Sequence, residues 1–145
     1  MIEGGEPAYL DSREETTQLV FFISPHGRLT TAPRKANRGP SWLPALPGDA
    51  VAQLLAGPST AERERGLRTA LPAGQSIRSA SSSPGFVHLT VSFAVGRLHR
   101  TAVDQVVCTA AYAEGNLRST KVQVSGTDEA LPTRQCQAGD LPYLP

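Results

Sequence analysis

The sequence predicts an α+β domain in which helices pack mainly on one face of a small mixed β-sheet. Residues 19–23 form an uninterrupted apolar run, as expected of a strand that is covered on both faces. Residues 87–93 alternate between apolar and polar side chains, which is typical of a strand with one buried face. Residues 101–114 repeat apolar side chains at helical spacing, which predicts an amphipathic helix.

Size and charge limit the classes of function. At 145 residues the chain fits one domain of ordinary size, which can bury a core without help from a metal or a disulfide scaffold. Its 14 basic and 13 acidic residues leave it nearly neutral, so we expect no nucleic-acid partner. No apolar run approaches the ~20 residues that span a bilayer. No charged-then-apolar leader follows Met1, which indicates either that an export signal is truly absent or that it has been removed.

The first third of the chain predicts a spacer, a hairpin and a loop. Residues 1–17 carry glycine, proline and charged side chains with little to bury, so we expect a flexible lead-in. The strand at 19–23 returns through a Pro-His-Gly turn as a second strand at 29–32. Four prolines in residues 33–48 predict a long loop, after which Asp49 caps a helix.

Residues 54–72 contain two short helices separated by a fixed break. Gly57 favours the left-handed conformation that closes a helix, and Pro58 cannot continue one. Ser59 and Glu62 have the spacing of a capping box, which restarts the chain as a helix. That second helix is expected to end at the next glycine, before a Leu-Pro turn.

The second half of the chain predicts another hairpin, the long helix and a last strand. Residues 76–82 pair with 86–93 through a Pro-Gly turn, and the helix at 101–114 ends at a glycine. Residues 120–124 form the last strand, and the tail at 127–145 is expected to pack irregularly on the domain. The predicted core consists of Val20, Phe22, Leu54, Leu55, Leu67, Leu89, Val91, Val103, Val106, Val107 and Val122.

The segment from Leu54 to Pro72 resembles the signature of the GerMN domain, the sporulation and germination domain of bacterial cell-envelope lipoproteins. The order and spacing of the hairpins, the long helix and the closing strand extend the resemblance to residues 19–126, and we assign the domain to 18–126. The resemblance implies a compact fold related to the ring-building domains of sporulation proteins. Its motif residues, to which it gives a structural role, are Leu54, Leu55, Gly57, Pro58, Glu62, Gly66, Leu67, Leu71 and Pro72.

The same resemblance implies a function without catalysis and without a cofactor. We expect an interaction or assembly module on the extracytoplasmic face of the membrane, linked to sporulation, germination or envelope maintenance. Its partner would be an envelope protein, and its membrane contact a lipid anchor that this chain does not carry. The first alternative is a module that binds peptidoglycan or another wall polymer. The second is a small hydrolase with an unrecognised site.

Two cysteines, Cys108 and Cys136, are too few for a disulfide scaffold and too far apart for a CxxC redox or zinc pair. In an oxidising compartment they predict one disulfide, whereas in the cytosol they would be two unrelated buried thiols. Cys108 lies one position off the apolar stripe of the long helix, at the edge of its buried face. A bond from there to Cys136 would pin the irregular tail to the helix.

The residues offer little for catalysis or metal binding. The three histidines, at positions 26, 88 and 99, fall in a turn, a strand and a helix start, and no Gly-x-Ser-x-Gly elbow is present. A nucleophilic Cys108 would interrupt a periodic core helix. The carboxylates are scattered, so no metal site is predicted. Glu62 and Glu64 lie with two arginines on a short helix that we interpret as a solvated face.

The proline-rich loop supplies the candidate surface contacts. Arg34, Lys35 and Arg38 form a small basic patch, which either meets anionic envelope polymers or is simply solvated. Trp42 lies in the same loop, where it either packs against the core or offers a platform for sugars.

Overall fold

The computed structural model describes residues 17–35, 46–115 and 117–137. These residues form six strands and three helices, which confirms the α+β class. We number them in chain order as β1 (Thr17–Ile23), β2 (Leu29–Lys35), α1 (Leu46–Leu55), α2 (Thr60–Glu64), β3 (Ile77–Ser83), β4 (Phe86–Val91), α3 (Arg100–Glu114), β5 (Lys121–Ser125) and β6 (Arg134–Gln135). The predicted spacer lies outside the described residues, apart from Thr17 at the start of β1.

The first two strands form a hairpin of their own. β1 pairs antiparallel with β2, and the apolar run is buried at Val20, Phe21 and Phe22, as predicted. β2 is longer than the sequence suggested, because Pro33 and Arg34 remain paired with β1. The loop prediction for residues 33–35 is therefore wrong.

The other four strands form a separate mixed sheet in the order β3-β4-β5-β6. β4 pairs antiparallel with β3 and parallel with β5, whereas β5 pairs antiparallel with β6. Parallel neighbours need a long crossover, and α3 supplies it. The single small sheet that we predicted is thus divided into a two-stranded and a four-stranded sheet. One isolated bridge, between Ile23 and Arg68, ties the segment after α2 to the end of β1.

Helix α3 lies at the centre of the molecule. It packs against α1, against β1 of the hairpin, and against β4, β5 and β6 of the larger sheet. One continuous core therefore contains residues from both sheets. Every predicted core residue is buried except Leu67, which is half-buried at its margin. Helix α1 begins at Leu46, so Asp49 lies in its first turn and is not its cap.

The C-terminal tail is more regular than its composition suggests. Residues Arg134–Gln135 form β6 on the edge of β5, and Arg134 also forms an ion pair with Asp104 of α3 at 3.0 Å. Cys108 and Cys136 are joined by a disulfide, with their Cα atoms 4.7 Å apart. Cys108 is fully buried, and the disulfide attaches the tail to α3 there.

The disulfide gives a direct chemical prediction. We expect no free thiol when the unfolded, non-reduced protein is titrated, and two after reduction. The bond closes a loop of 28 residues. Its loss in a Cys108→Ser, Cys136→Ser double variant should therefore lower the free energy of unfolding by about 3 kcal/mol, measured by urea denaturation. Two free thiols before reduction would contradict the bond.

Candidate interaction surface

The segment that follows α1 has the predicted break and cap. Gly57 takes a φ of +88°, and its N–H donates to the carbonyl of Leu54 at 3.0 Å. The Glu62 N–H donates to the Ser59 hydroxyl at 3.1 Å, and the Ser59 N–H donates to the Glu62 carboxylate at 2.9 Å. Both bonds of the capping box are present, so the chain direction after Pro58 is fixed by local contacts.

Glu62 does more than cap its helix. Only 6% of the residue is exposed, so the prediction of a solvated face is wrong for Glu62. Both of its carboxylate oxygens accept hydrogen bonds from the Arg34 guanidinium at 2.7 Å. Arg34 also lies over the ring of Phe22, 5.5 Å from its centroid. The pair therefore joins α2 to β2, and Arg34 is not a free surface contact.

This environment shifts the acidity of Glu62. The hydrogen bonds from Arg34 are the largest cause, and the N–H of Ser59 adds to them. Together they outweigh the effect of burial and lower the pKa of Glu62 from 4.5 to about 2. The carboxylate is thus charged at any pH near neutrality.

A second attachment joins the end of residues 54–72, which we call the motif segment, to the β1–β2 hairpin. The N–H groups of Ile23 and Arg68 donate to each other's carbonyls at 2.8 and 2.9 Å. Gly66 has a φ of +92°, and a Cβ placed on it would lie 2.5 Å from Cγ of Pro25. The close approach between this glycine and the β1–β2 turn leaves no room for a side chain.

A buried glutamine forms the third attachment. Gln105 of α3 is fully buried, and its side-chain amide donates to the carbonyl of Phe21 at 2.9 Å and to the hydroxyl of Thr69 at 3.0 Å. Its carbonyl accepts from the N–H of Ala70 at 2.9 Å. One turn later, Thr109 accepts from the N–H of Phe21 at 3.1 Å. This network was not predicted from the sequence, although polar residues at i and i+4 beside an apolar stripe are its signal.

The described residues place no recognisable catalytic group on this surface. The Cys108 sulfur is bonded to Cys136, so it is not a free nucleophile. His99 caps α3, its Nδ1 accepting from the N–H of Thr101. Nε2 of His88 lies 3.0 Å from the Ser125 hydroxyl, but its partners across the sheet are Ser81 and Gln123, neither of which is an acid that could orient it.

The described residues also offer no metal site and no membrane-spanning helix. Within residues 17–35, 46–115 and 117–137, no group of three or more His, Cys, Asp or Glu side chains is placed to hold a metal ion. None of the helices in these ranges has the length and apolar character needed to cross a membrane.

The comparison with protein families decides the identity of the fold. The family model Germane, described as "sporulation and spore germination", matches residues 19–130. The chain belongs to this family. The match covers the motif segment and everything to which it is attached, and it confirms the GerMN resemblance. A comparison with curated proteins finds no match.

Two solved structures share the GerMN fold with this chain. The first GerMN domain of the sporulation protein GerM from Bacillus subtilis aligns with a TM-score of 0.57 and 15% identity, over 80% of this chain and 86% of that one. The tandem GerMN domains of the same protein align with a TM-score of 0.58 and 13% identity, over 80% of this chain and 40% of that one. At these identities the likeness is one of fold.

The motif residues of this GerMN domain hold the segment in place. Leu54, Leu55, Pro58 and Leu71 are buried, and Pro72 is half-buried. They display the outer side of α2 and the residue after it: Arg63, Glu64 and Arg65 are exposed. Of the candidate contacts, Lys35 is exposed at the end of β2, whereas Arg38 and Trp42 lie outside the described residues.

The ion pair makes stability depend on pH. Because Glu62 has a lower pKa in the folded state, its contribution is complete above pH 4.5 and is lost as the pH falls towards 2. The difference corresponds to about 3 kcal/mol. Urea titrations should therefore show a steeper loss of stability in this range for the native protein than for Glu62→Gln, which keeps the cap. The exposed control Glu64→Gln should follow the native protein. A native-like slope in Glu62→Gln would refute the pair's role.

The buried glutamine should matter more than its size suggests. In Gln105→Met the carbonyl of Phe21 and the N–H of Ala70 lose their partner, so we expect a loss of about 2–4 kcal/mol in the free energy of unfolding. Gln123→Met is the control, since in the described part of the chain that half-buried amide donates one long bond, 3.3 Å to the carbonyl of Leu131. It should cost less than about 1 kcal/mol. Equal losses in the two variants would contradict the assignment.

Proposed function

We propose that this GerMN domain is a non-catalytic interaction or assembly module on the extracytoplasmic face of a bacterial membrane. It would act as part of a lipid-anchored protein in sporulation, germination or envelope maintenance, through contact with an envelope protein. The observation that carries the proposal is the match of residues 19–130 to a sporulation and spore germination family. The fold shared with GerM domains supports it.

The use of the motif residues supports a binding role. In the described residues the polar groups of this segment form structural contacts: a capping box, an ion pair, a backbone bridge and a buried amide network. Such attachments hold a surface in one shape, which lowers the entropy cost of binding a partner. They place no nucleophile and base together, as an enzyme would need.

The disulfide supports the proposed compartment. Bonds of this kind persist in oxidising surroundings and are rare in the cytosol. Cys108 lies in the core, and Cys136 is almost fully covered. A bond at this position therefore belongs to the folded core and is not an exposed, exchangeable contact.

Accessibility of lysines in the native bacterium tests the compartment. The chain has only two lysines, Lys35 and Lys121, and both are exposed. We expect a membrane-impermeant amine reagent to label the full-length protein in intact protoplasts, and a Lys35→Arg, Lys121→Arg variant to lose the labelling that is due to this domain. A cytosolic marker serves as control. Labelling of this domain only after lysis would contradict the proposed location.

Photocrosslinking from the displayed surface tests the kind of partner. A photoreactive residue at position 61, which is exposed on α2 and outside the arginines, should capture an envelope protein, whereas one at position 81, exposed on β3 of the larger sheet, serves as the comparison. Capture of material that is degraded by a muramidase and not by a protease would favour the wall-polymer alternative. No capture from either position would contradict an assembly role for this surface.

A further inference from the structure

Four arginines lie around the turn between β1 and β2. Arg28 ends the turn, and Arg63, Arg65 and Arg68 lie on or just after α2. All four are exposed. We call this set the arginine cluster. The sequence separates Arg28 from the other three by more than thirty positions, so only the fold brings them together.

Backbone contacts fix the geometry of the cluster. The N–H of Ser24 donates to the carbonyl of Arg28 at 2.7 Å, and the guanidinium of Arg68 donates to the carbonyl of Ser24 at 3.1 Å. Arg28 and Arg68 thus flank the same residue. Arg65 precedes Gly66, which lies against Pro25 at the turn. The Gly66 N–H also donates to the carbonyl of Arg63 at 2.9 Å, so backbone contacts hold the chain at all four arginines.

The cluster is not neutralised by the rest of the domain. Among residues 17–35, 46–115 and 117–137, the ion pairs use Arg34 and Arg134, and none involves the cluster. Of the two acidic residues beside it in sequence, Glu62 is paired with Arg34, so only Glu64 offsets the four arginines and the patch carries a formal charge of +3 in a chain whose net charge is +1. Neighbouring charges within the ~8 Å Debye length of physiological salt reinforce one another.

The composition of the patch indicates which kind of partner it suits. All its cations are arginine, whose planar fork matches a carboxylate or a phosphate with two parallel hydrogen bonds. Arginine is also enriched at protein interfaces, where lysine is depleted. Residues 24–28 and 63–70 contain no Phe, Tyr or Trp on which a base or sugar could stack. Nor do they expose a bulky apolar side chain of the kind that anchors a peripheral protein in a lipid surface.

We propose that the arginine cluster binds a carboxylate-rich segment of a protein partner. The inference rests on the proposed function as an interaction module and assigns the chemistry of its partner. Binding is measured on the purified protein, without reference to its location in the cell. Failure of this inference therefore leaves the labelling and crosslinking tests above intact.

A fluorescein-labelled poly-glutamate peptide is the probe, with anisotropy measured at about 50 mM salt, where surface charges are weakly screened. We expect binding that weakens about tenfold or more in R28Q/R63Q/R65Q/R68Q. The matched control is R78Q/R97Q/R100Q/R118Q, which removes four exposed arginines elsewhere and should change the affinity less than about twofold. If the first variant fails to fold, R28Q/R65Q replaces it, with R97Q/R118Q as its control and a loss of about threefold expected.

Three outcomes would overturn the proposal. If the native protein does not bind the peptide, the proposed carboxylate recognition is wrong. Equal loss in the cluster variant and the control means that the peptide senses only net charge. Tighter binding of a glycerol phosphate polymer, or of vesicles of phosphatidylglycerol and phosphatidylcholine, at equal charge concentration would assign the cluster to a phosphate-bearing surface instead.

Discussion

The inner face of α3 is the constraint on which the rest of the domain depends. The strands fall into two sheets whose strands do not pair with one another in the described residues, so no continuous ladder holds them together. Helix α3 packs on both sheets and supplies the crossover between β4 and β5. Apolar contacts are non-directional, whereas the bonds from Gln105 and Thr109 to Phe21 accept only one register of β1 on the helix. Burial of the apolar stripe of α3 provides most of the free energy of packing, and Gln105 and Thr109 select the register of β1 on the helix.

The motif segment links the packed interior to the exposed surface. The segment begins as the end of α1, and in its middle Glu62 is paired with Arg34 of β2. Near its end, Arg68 is bonded to Ile23 of β1 and Ala70 to Gln105 of α3. Each of these attachments is to a different element. Together they fix the position of α2, although this helix has only five residues. A helix this short is not stable alone, and its position is a property of the whole fold.

Local signals predicted the elements well, and contacts between distant residues explain what was missed. The period of α3, the apolar run of β1 and the Gly57–Ser59 break are all encoded by neighbours in sequence. The ion pair of Glu62 could not be predicted in this way. The local sequence of a capping glutamate is the same whether or not an arginine 28 positions earlier pairs with it. The strand β6 has two residues, too few for any pattern, and its pairing follows from the edge of β5 and the adjacent disulfide.

The long sequence distance between β1 and its partners has a consequence for how the chain folds. The hydrogen-bond partner of the Phe21 N–H is Thr109, which lies 88 positions later in the chain, and that of its carbonyl is Gln105. Neither bond can form before α3 has been synthesised. Until α3 has been synthesised, β1 has only α1 to pack against it, and a chain that stops before α3 would leave part of the apolar surface of β1 open to aggregation. Contacts of such high sequence separation also slow the search for the native topology. The first hairpin is therefore the first part of the domain to be made, and its burial is completed only when α3 is in place.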